Sequence, residues 1–111
     1  MNMIYTEEID GYTILIGRSK EENDALYETA LNTKKPVLWF HLTDGPGPHG
    51  FLLGGKPPKS LIYKTSLLVK KFSKMKKENN VSVDYIDLQY VSKTDEKGTV
   101  ELMKSPRVIN V

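Results

Sequence analysis

At 111 residues the chain is one domain, long enough to bury a core and too short for two. Its apolar share of 39% and charged share of 27% are those of an ordinary globular protein, and the lack of cysteine excludes disulfides and thiolate metal sites. The net charge of +2 hides an uneven distribution. From Lys56 to Lys77 there are eight lysines and no acid; removing them from the 16 basic and 14 acidic residues leaves 8 and 14 elsewhere, a balance of −6. A basic segment on an acidic body suits an anionic partner, nucleic acid above all, although a lysine face kept for solubility gives the same pattern. No apolar run approaches the length of a membrane span, and the amino terminus lacks the basic and apolar segments of a signal peptide. A cytoplasmic or nuclear location without membrane association is the default expectation, cytoplasmic first.

In chain order, Met3 to Tyr5 and Tyr12 to Ile16 are apolar runs, and Asp10-Gly11 between them is a strong hairpin signal. Ser19-Lys-Glu-Glu22 has the capping-box spacing and predicts a helix from about Lys20 to Leu31. Leu26 and Ala30, with Ala25 and Thr29 beside them, give that helix its inward stripe. The Gly17-Arg18-Ser19 junction has a second use. A glycine turn opening a helix offers free amides and a positive dipole end to an anion, and Arg18 adds a bidentate donor.

The run from Pro36 to Leu42, with the only tryptophan at Trp39, reads as a buried strand. Asp44-Gly-Pro-Gly-Pro48 must then be loop, and Gly50 to Leu53 resumes a strand. Both histidines, His41 and His49, stand at the ends of this loop with Asp44 between them. A stiff loop that brings two imidazoles and a carboxylate off strand ends resembles a binding site; it can equally be a tight hairpin whose histidines cap strands. Three such groups are also enough ligands for zinc with one position open, but a proline-rich loop offers no evident outer shell.

After the Gly54 to Pro58 loop, a helix is expected from about Ser60 to Lys77. Leu61, Leu68, Phe72 and Met75 line one face, with Thr65 and Val69 at its edge. Lys64, Lys70, Lys71, Lys74 and Lys77 line the other, where Tyr63 and Leu67 also stand. A tyrosine among lysines can stack on a base while the amines hold phosphates, or pack on a neighbouring loop. Val81, Val83 and Tyr85 alternate as a half-buried strand that Leu88 to Val91 continues. Ser92 to Gly98 is a polar turn, and strands are expected at Thr99 to Met103 and Arg107 to Val111. The whole reads as α+β: a mixed, largely antiparallel sheet with about two helices.

These residues resemble the NFACT-R domain, the RNA-binding module of ribosome quality-control factors of the NEMF/RqcH type. The resemblance begins with Gly17, Arg18, Asn23, Asp24 and Leu26, and continues with Leu38, Trp39, Phe40 and His41. Asp44, Pro46, Gly47 and His49 complete the motif. The lysine-bearing helix, the Val-x-Val-x-Tyr strand and Gly98-Thr-Val100 follow in family order, so the likeness runs from Tyr12 onward. Departures are Val37 in place of an acid, Pro48 in place of serine, and Gly50 in place of a β-branched residue, which is expected to loosen the strand after the loop.

The resemblance implies nucleic-acid binding without catalysis or cofactor over residues 1–111. The partner it points to is tRNA or structured RNA, with DNA a second candidate and ribosomal or quality-control proteins as further company. Arg18, Asn23, His41, Asp44 and His49 would make the finer contacts, Lys64, Lys70, Lys71 and Lys74 of the basic helix the phosphate attraction, and Tyr63 a stacking contact. Asn23-Asp24 can instead tie loop to helix by side-chain hydrogen bonds. Trp39 reads as core. A rival is a protein-interaction module whose basic helix docks on an acidic partner.

Overall fold

The computed structural model describes residues 4–111. Two helices, α1 (Lys20–Asn32) and α2 (Lys59–Lys71), lie on opposite faces of a six-stranded sheet. The sheet is built from β1 (Tyr5–Ile9), β2 (Tyr12–Gly17), β3 (Val37–Leu42), β4 (His49–Leu53), β5 (Ser82–Asp87) and a last strand near the end of the chain. Between β5 and that strand, β6 (Val91–Lys93) and β7 (Val100–Leu102) pair apart as a small ribbon, which makes the last strand β8 (Arg107–Asn110). The order is β1-β2-β4-β3-β5-β8, and every neighbouring pair is antiparallel. The α+β expectation holds, and the parallel component sits only between non-neighbours. Strand β2 runs parallel to β3 across β4, and β4 runs parallel to β5 across β3. Both crossovers step the same way along the sheet from oppositely directed strands. A shared handedness therefore sends α1 and α2 to opposite faces.

Being covered on both faces explains why the central strands read as unbroken apolar runs. Along β3, Leu38, Phe40 and Leu42 meet Leu61, Leu68 and Val69 of α2. Val37 and Trp39 point the other way, onto Leu26, Tyr27 and Ala30 of α1. The Asp10-Gly11 turn closes β1 on β2 with φ of 51° and 83°, as a two-residue hairpin turn requires. Glu7 and Glu8 lie within β1; of the expected first run, Met3 falls outside the described residues.

Several expectations are corrected. Asn23, Leu26, Tyr27 and Ala30 form the inward stripe of α1, while Ala25 and Thr29 are exposed. Helix α2 stops at Lys71, short of Lys77. The Ser73 hydroxyl donates to the Lys70 carbonyl at 2.7 Å and accepts from the Met75 amide at 3.0 Å, replacing the next helical turn with a local one and leaving Met75 exposed. Gly50 does not loosen β4. A Cβ there would lie 2.8 Å from Val69 Cγ2 and 3.2 Å from Phe40 Cβ, so the missing side chain is what lets α2 approach the sheet. Leu88–Tyr90 is a single 3-10 turn rather than more strand. Leu88 and Val91, three apart, thereby bury on the same side in the α1 core.

Candidate functional site

At the end of the sheet where β3 turns into β4, a cleft of about 680 Å³ opens on the α1 face. Four segments far apart in sequence surround it: the start of α1, the Thr43 to Pro48 loop, the chain just after α2, and the tip of the β6–β7 ribbon. Trp39, His41 and His49 make its floor.

The floor follows from strand alternation. Trp39 and His41, two apart on β3, share a face, and their rings stack at 5.6 Å with an interplanar angle of 1°. His49 comes from the first position of β4 and meets both rings edge-on, at 5.4 Å from Trp39 and 5.0 Å from His41. The Trp39 indole N–H donates to Nδ1 of His49 at 3.3 Å. The His49 backbone N–H donates to the Asn23 side-chain oxygen, also at 3.3 Å. A side chain at Gly17 would collide with that oxygen, which accounts for glycine before Arg18. His49 is only 4% exposed. Burial foremost, with repulsion from His41 second and Asp24 opposing, pushes its imidazole down from 6.5 to about 3. The floor is thus aromatic and, at His49, uncharged near neutral pH.

The rim is cationic. Arg18 lies 5.3 Å from the Phe72 ring centroid, and its Nε is 3.9 Å from Glu22 Oε1. Lys20, Lys74 and Lys97 are exposed around the opening. Ser19 caps α1 by accepting from the Glu22 amide at 3.1 Å. The Glu22 carboxylate accepts from the Arg18 amide at 3.0 Å, one residue before the cap, which fixes the backbone that carries the arginine. Asp24 anchors the far wall: the Gly98 N–H donates to its Oδ1 at 2.8 Å, and Lys93 Nζ is 3.5 Å from its Oδ2. Asn23 and Asp24 therefore both tie segments together, one the β3–β4 loop and the other the ribbon.

Of the residues singled out from sequence, Arg18, Asn23, His41, His49 and Lys74 line this cleft. Asp44 is exposed and does not line it; among the described residues no three His, Asp or Glu side chains are grouped to hold a metal. Tyr63, Lys64, Lys70 and Lys71 lie along α2, outside the cleft lining. Lys64 pairs with Glu7 at 2.6 Å, Lys70 donates to the Val111 carbonyl at 3.2 Å, and Lys71 sits 5.8 Å from the Phe72 ring centroid. Tyr63 is 48% exposed. Sequence reasoning missed Lys20, Lys97 and Phe72 as lining residues and gave Trp39 no part in the site. The one usable signal for the ribbon was Asp24, a carboxylate needing a donor, with Gly98 as the free amide.

The family model of the NFACT protein RNA binding domain matches residues 1–108. The chain belongs to this family. Curated relatives include the Rqc2 homolog RqcH of Bacillus subtilis (strain 168), 31% identical over 87 residues, and that of Streptococcus suis (strain 05ZYH33), 36% identical over 86. These matches cover 78% and 76% of this chain but 15% of each relative, so the chain spans a small part of their length. A solved structure of the C-terminal of the fibronectin/fibrinogen-binding protein from Streptococcus suis is similar with a TM-score of 0.83 at 29% identity. That match covers 96% of this chain and 43% of the other. In this NFACT RNA-binding domain the three separated motif segments meet at one place: Arg18 and Asn23 from the first, Trp39 and His41 from the second, and Pro46, Gly47 and His49 from the third all line the cleft.

Proposed function

We propose that the protein is a non-catalytic RNA-binding module that acts in translation quality control or RNA metabolism, with tRNA or another structured RNA as its ligand. The observation that carries this is the cleft itself, where a cationic rim of Arg18, Lys20, Lys74 and Lys97 surrounds an aromatic floor. Lysine and arginine at the rim supply the sequence-independent attraction to phosphates, while aromatic rings below supply contacts that depend on RNA shape. Binding is favoured over catalysis because the two floor histidines already spend one ring nitrogen each on fixed protein partners, and His49 stays uncharged near neutral pH. We place the module in the cytoplasm, where such RNA is found.

The test is an affinity series of the purified protein against tRNA, single-stranded RNA and duplex DNA at several salt concentrations. Preference for tRNA, with a salt slope corresponding to several displaced counterions, is the expected result. Equal weak binding to every polyanion would reduce the site to a sticky lysine surface. No binding to any of them would point to an acidic protein partner instead.

A further inference from the structure

Resting on the RNA-binding reading, the floor of the cleft says which part of an RNA enters it. Nδ1 of His41 lies 2.8 Å from the Leu42 carbonyl oxygen. A carbonyl only accepts, so Nδ1 carries a proton, and Nε2 is an acceptor whenever that is the ring's one proton. At His49 the order is reversed. The indole N–H only donates, so Nδ1 is bare and Nε2 carries the proton. Neither Nε2 has a hydrogen-bond partner among the described residues. Among the described residues no fully buried side-chain nitrogen or oxygen is unpartnered, so neither Nε2 is sealed from solvent, and both rings line the cleft. Two neighbouring rings, 5.0 Å apart, thus present a fixed donor at His49 and, at His41, a nitrogen that accepts when the ring is singly protonated.

We propose that the cleft receives a single unpaired nucleotide, its base on the Trp39–His41–His49 floor and its phosphate under Arg18, Lys20 and Lys74. A donor beside an acceptor matches the polar edge of a nucleobase, which is itself made of adjacent donors and acceptors. It does not match a phosphate, which accepts only. The volume of about 680 Å³ lies within the range of sites for small ligands, and it is single-stranded segments whose bases can be splayed out onto aromatic side chains. The wall is also polarised. Asp84, which accepts from the Thr43 hydroxyl at 2.7 Å, lines the cleft and disfavours a phosphate on its side. The phosphate is therefore directed to the Arg18 side.

The experiment compares a blunt RNA hairpin with the same hairpin carrying a four-nucleotide single-stranded overhang, read by fluorescence polarisation of the RNA and by emission of Trp39, the only tryptophan. The overhang hairpin should bind about tenfold tighter or more, the size of one base–aromatic stacking contact, and only it should change the tryptophan emission. His41→Phe, which keeps an aromatic ring on Trp39 and removes the acceptor, should cut that preference severalfold. Equal affinity for the two hairpins with silent tryptophan emission would overturn the nucleotide site and leave RNA binding standing. Absence of binding to both would overturn the RNA reading, and this inference with it.

Discussion

Trp39 donates its indole N–H to Nδ1 of His49 across 3.3 Å, so a residue of the core dictates which nitrogen of a cleft residue carries the proton. Trp39 is 3% exposed and packs in the α1-side core. Core and site therefore share an atom-level contact, and substitutions at this position separate their two roles.

Trp39→Ala should destabilise the domain by about 3–5 kcal/mol, the usual cost of emptying a large buried aromatic site. Trp39→Phe keeps most of the packing but leaves Nδ1 of His49 without its donor, at about 1–3 kcal/mol. Urea denaturation of both variants checks the order. A Phe variant as stable as the parent would mean that the indole hydrogen bond contributes nothing.

His49 also makes stability depend on pH. Its imidazole titrates at about 3 when folded and near 6.5 when unfolded, so the unfolded chain binds the proton more tightly. The stabilisation it provides is complete above about pH 6.5 and is lost as pH falls toward 3, amounting to about 2 kcal/mol of loss by pH 5. Denaturation midpoints at pH 7.5 and pH 5 should show this loss in the parent and not in His49→Gln. A parent insensitive to pH across that interval would show that the ring is better hydrated than its burial implies.

Gly50 predicts a clash and a remedy. Gly50→Val should cost roughly 1–3 kcal/mol, because Val69 and Phe40 occupy the space the new side chain needs. Val69→Ala made in that background should recover part of the loss, since the two changes share one contact and cannot be additive. Thermal melts of the two single variants and the double variant complete the cycle; strict additivity would rule out the steric account.

The lysines of the basic segment should not be equivalent toward RNA. Lys74 lines the cleft, whereas Lys64 is 2.6 Å from Glu7 of β1. Lys74→Ala should lower the salt slope of RNA binding by about one counterion, and Lys64→Ala should leave it unchanged. Equal effects would mean that RNA spreads over the whole of α2 rather than entering at its end.

Much of this was legible from sequence because it is encoded locally. The Asp10-Gly11 turn, the Ser19 cap, the proline-rich loop between two apolar runs and the alternation around Val83 each depend on a few adjacent residues. What was not legible depends on distant chain segments. Asp24 meets Gly98 across 74 positions, and no periodicity links them. Lys64 and Lys70 look available on a helical wheel, but Glu7 and the Val111 carbonyl, from the two ends of the described chain, engage them. The helix running on to Lys77 misled for a different reason. Ser73 has ordinary helix spacing, and only its hydroxyl bonds to Lys70 and Met75 end the turn. Arg18, Asn23, His41, His49 and Lys74 were singled out from sequence and line the cleft, while Lys20 and Lys97 of its rim carry no local signature beyond charge.

The ribbon of β6 and β7 carries a consequence for exchange of amide hydrogens with solvent. Strands β2, β3 and β4 are covered on both faces and should hold their amides longest, while the ribbon has two short strands and a single ladder of its own. Its main ties to α1 are the Asp24 contacts and the Tyr27 hydroxyl donating to the Val91 carbonyl at 3.0 Å. Such a unit opens locally at far less cost than the domain unfolds. One wall of the cleft is therefore built from a thinly tied part of the molecule, facing a floor set in strands covered on both faces. A ligand bridging the two would announce itself as slowed exchange between Lys93 and Val100, with no change at Trp39 or Phe51, whose amides are already locked.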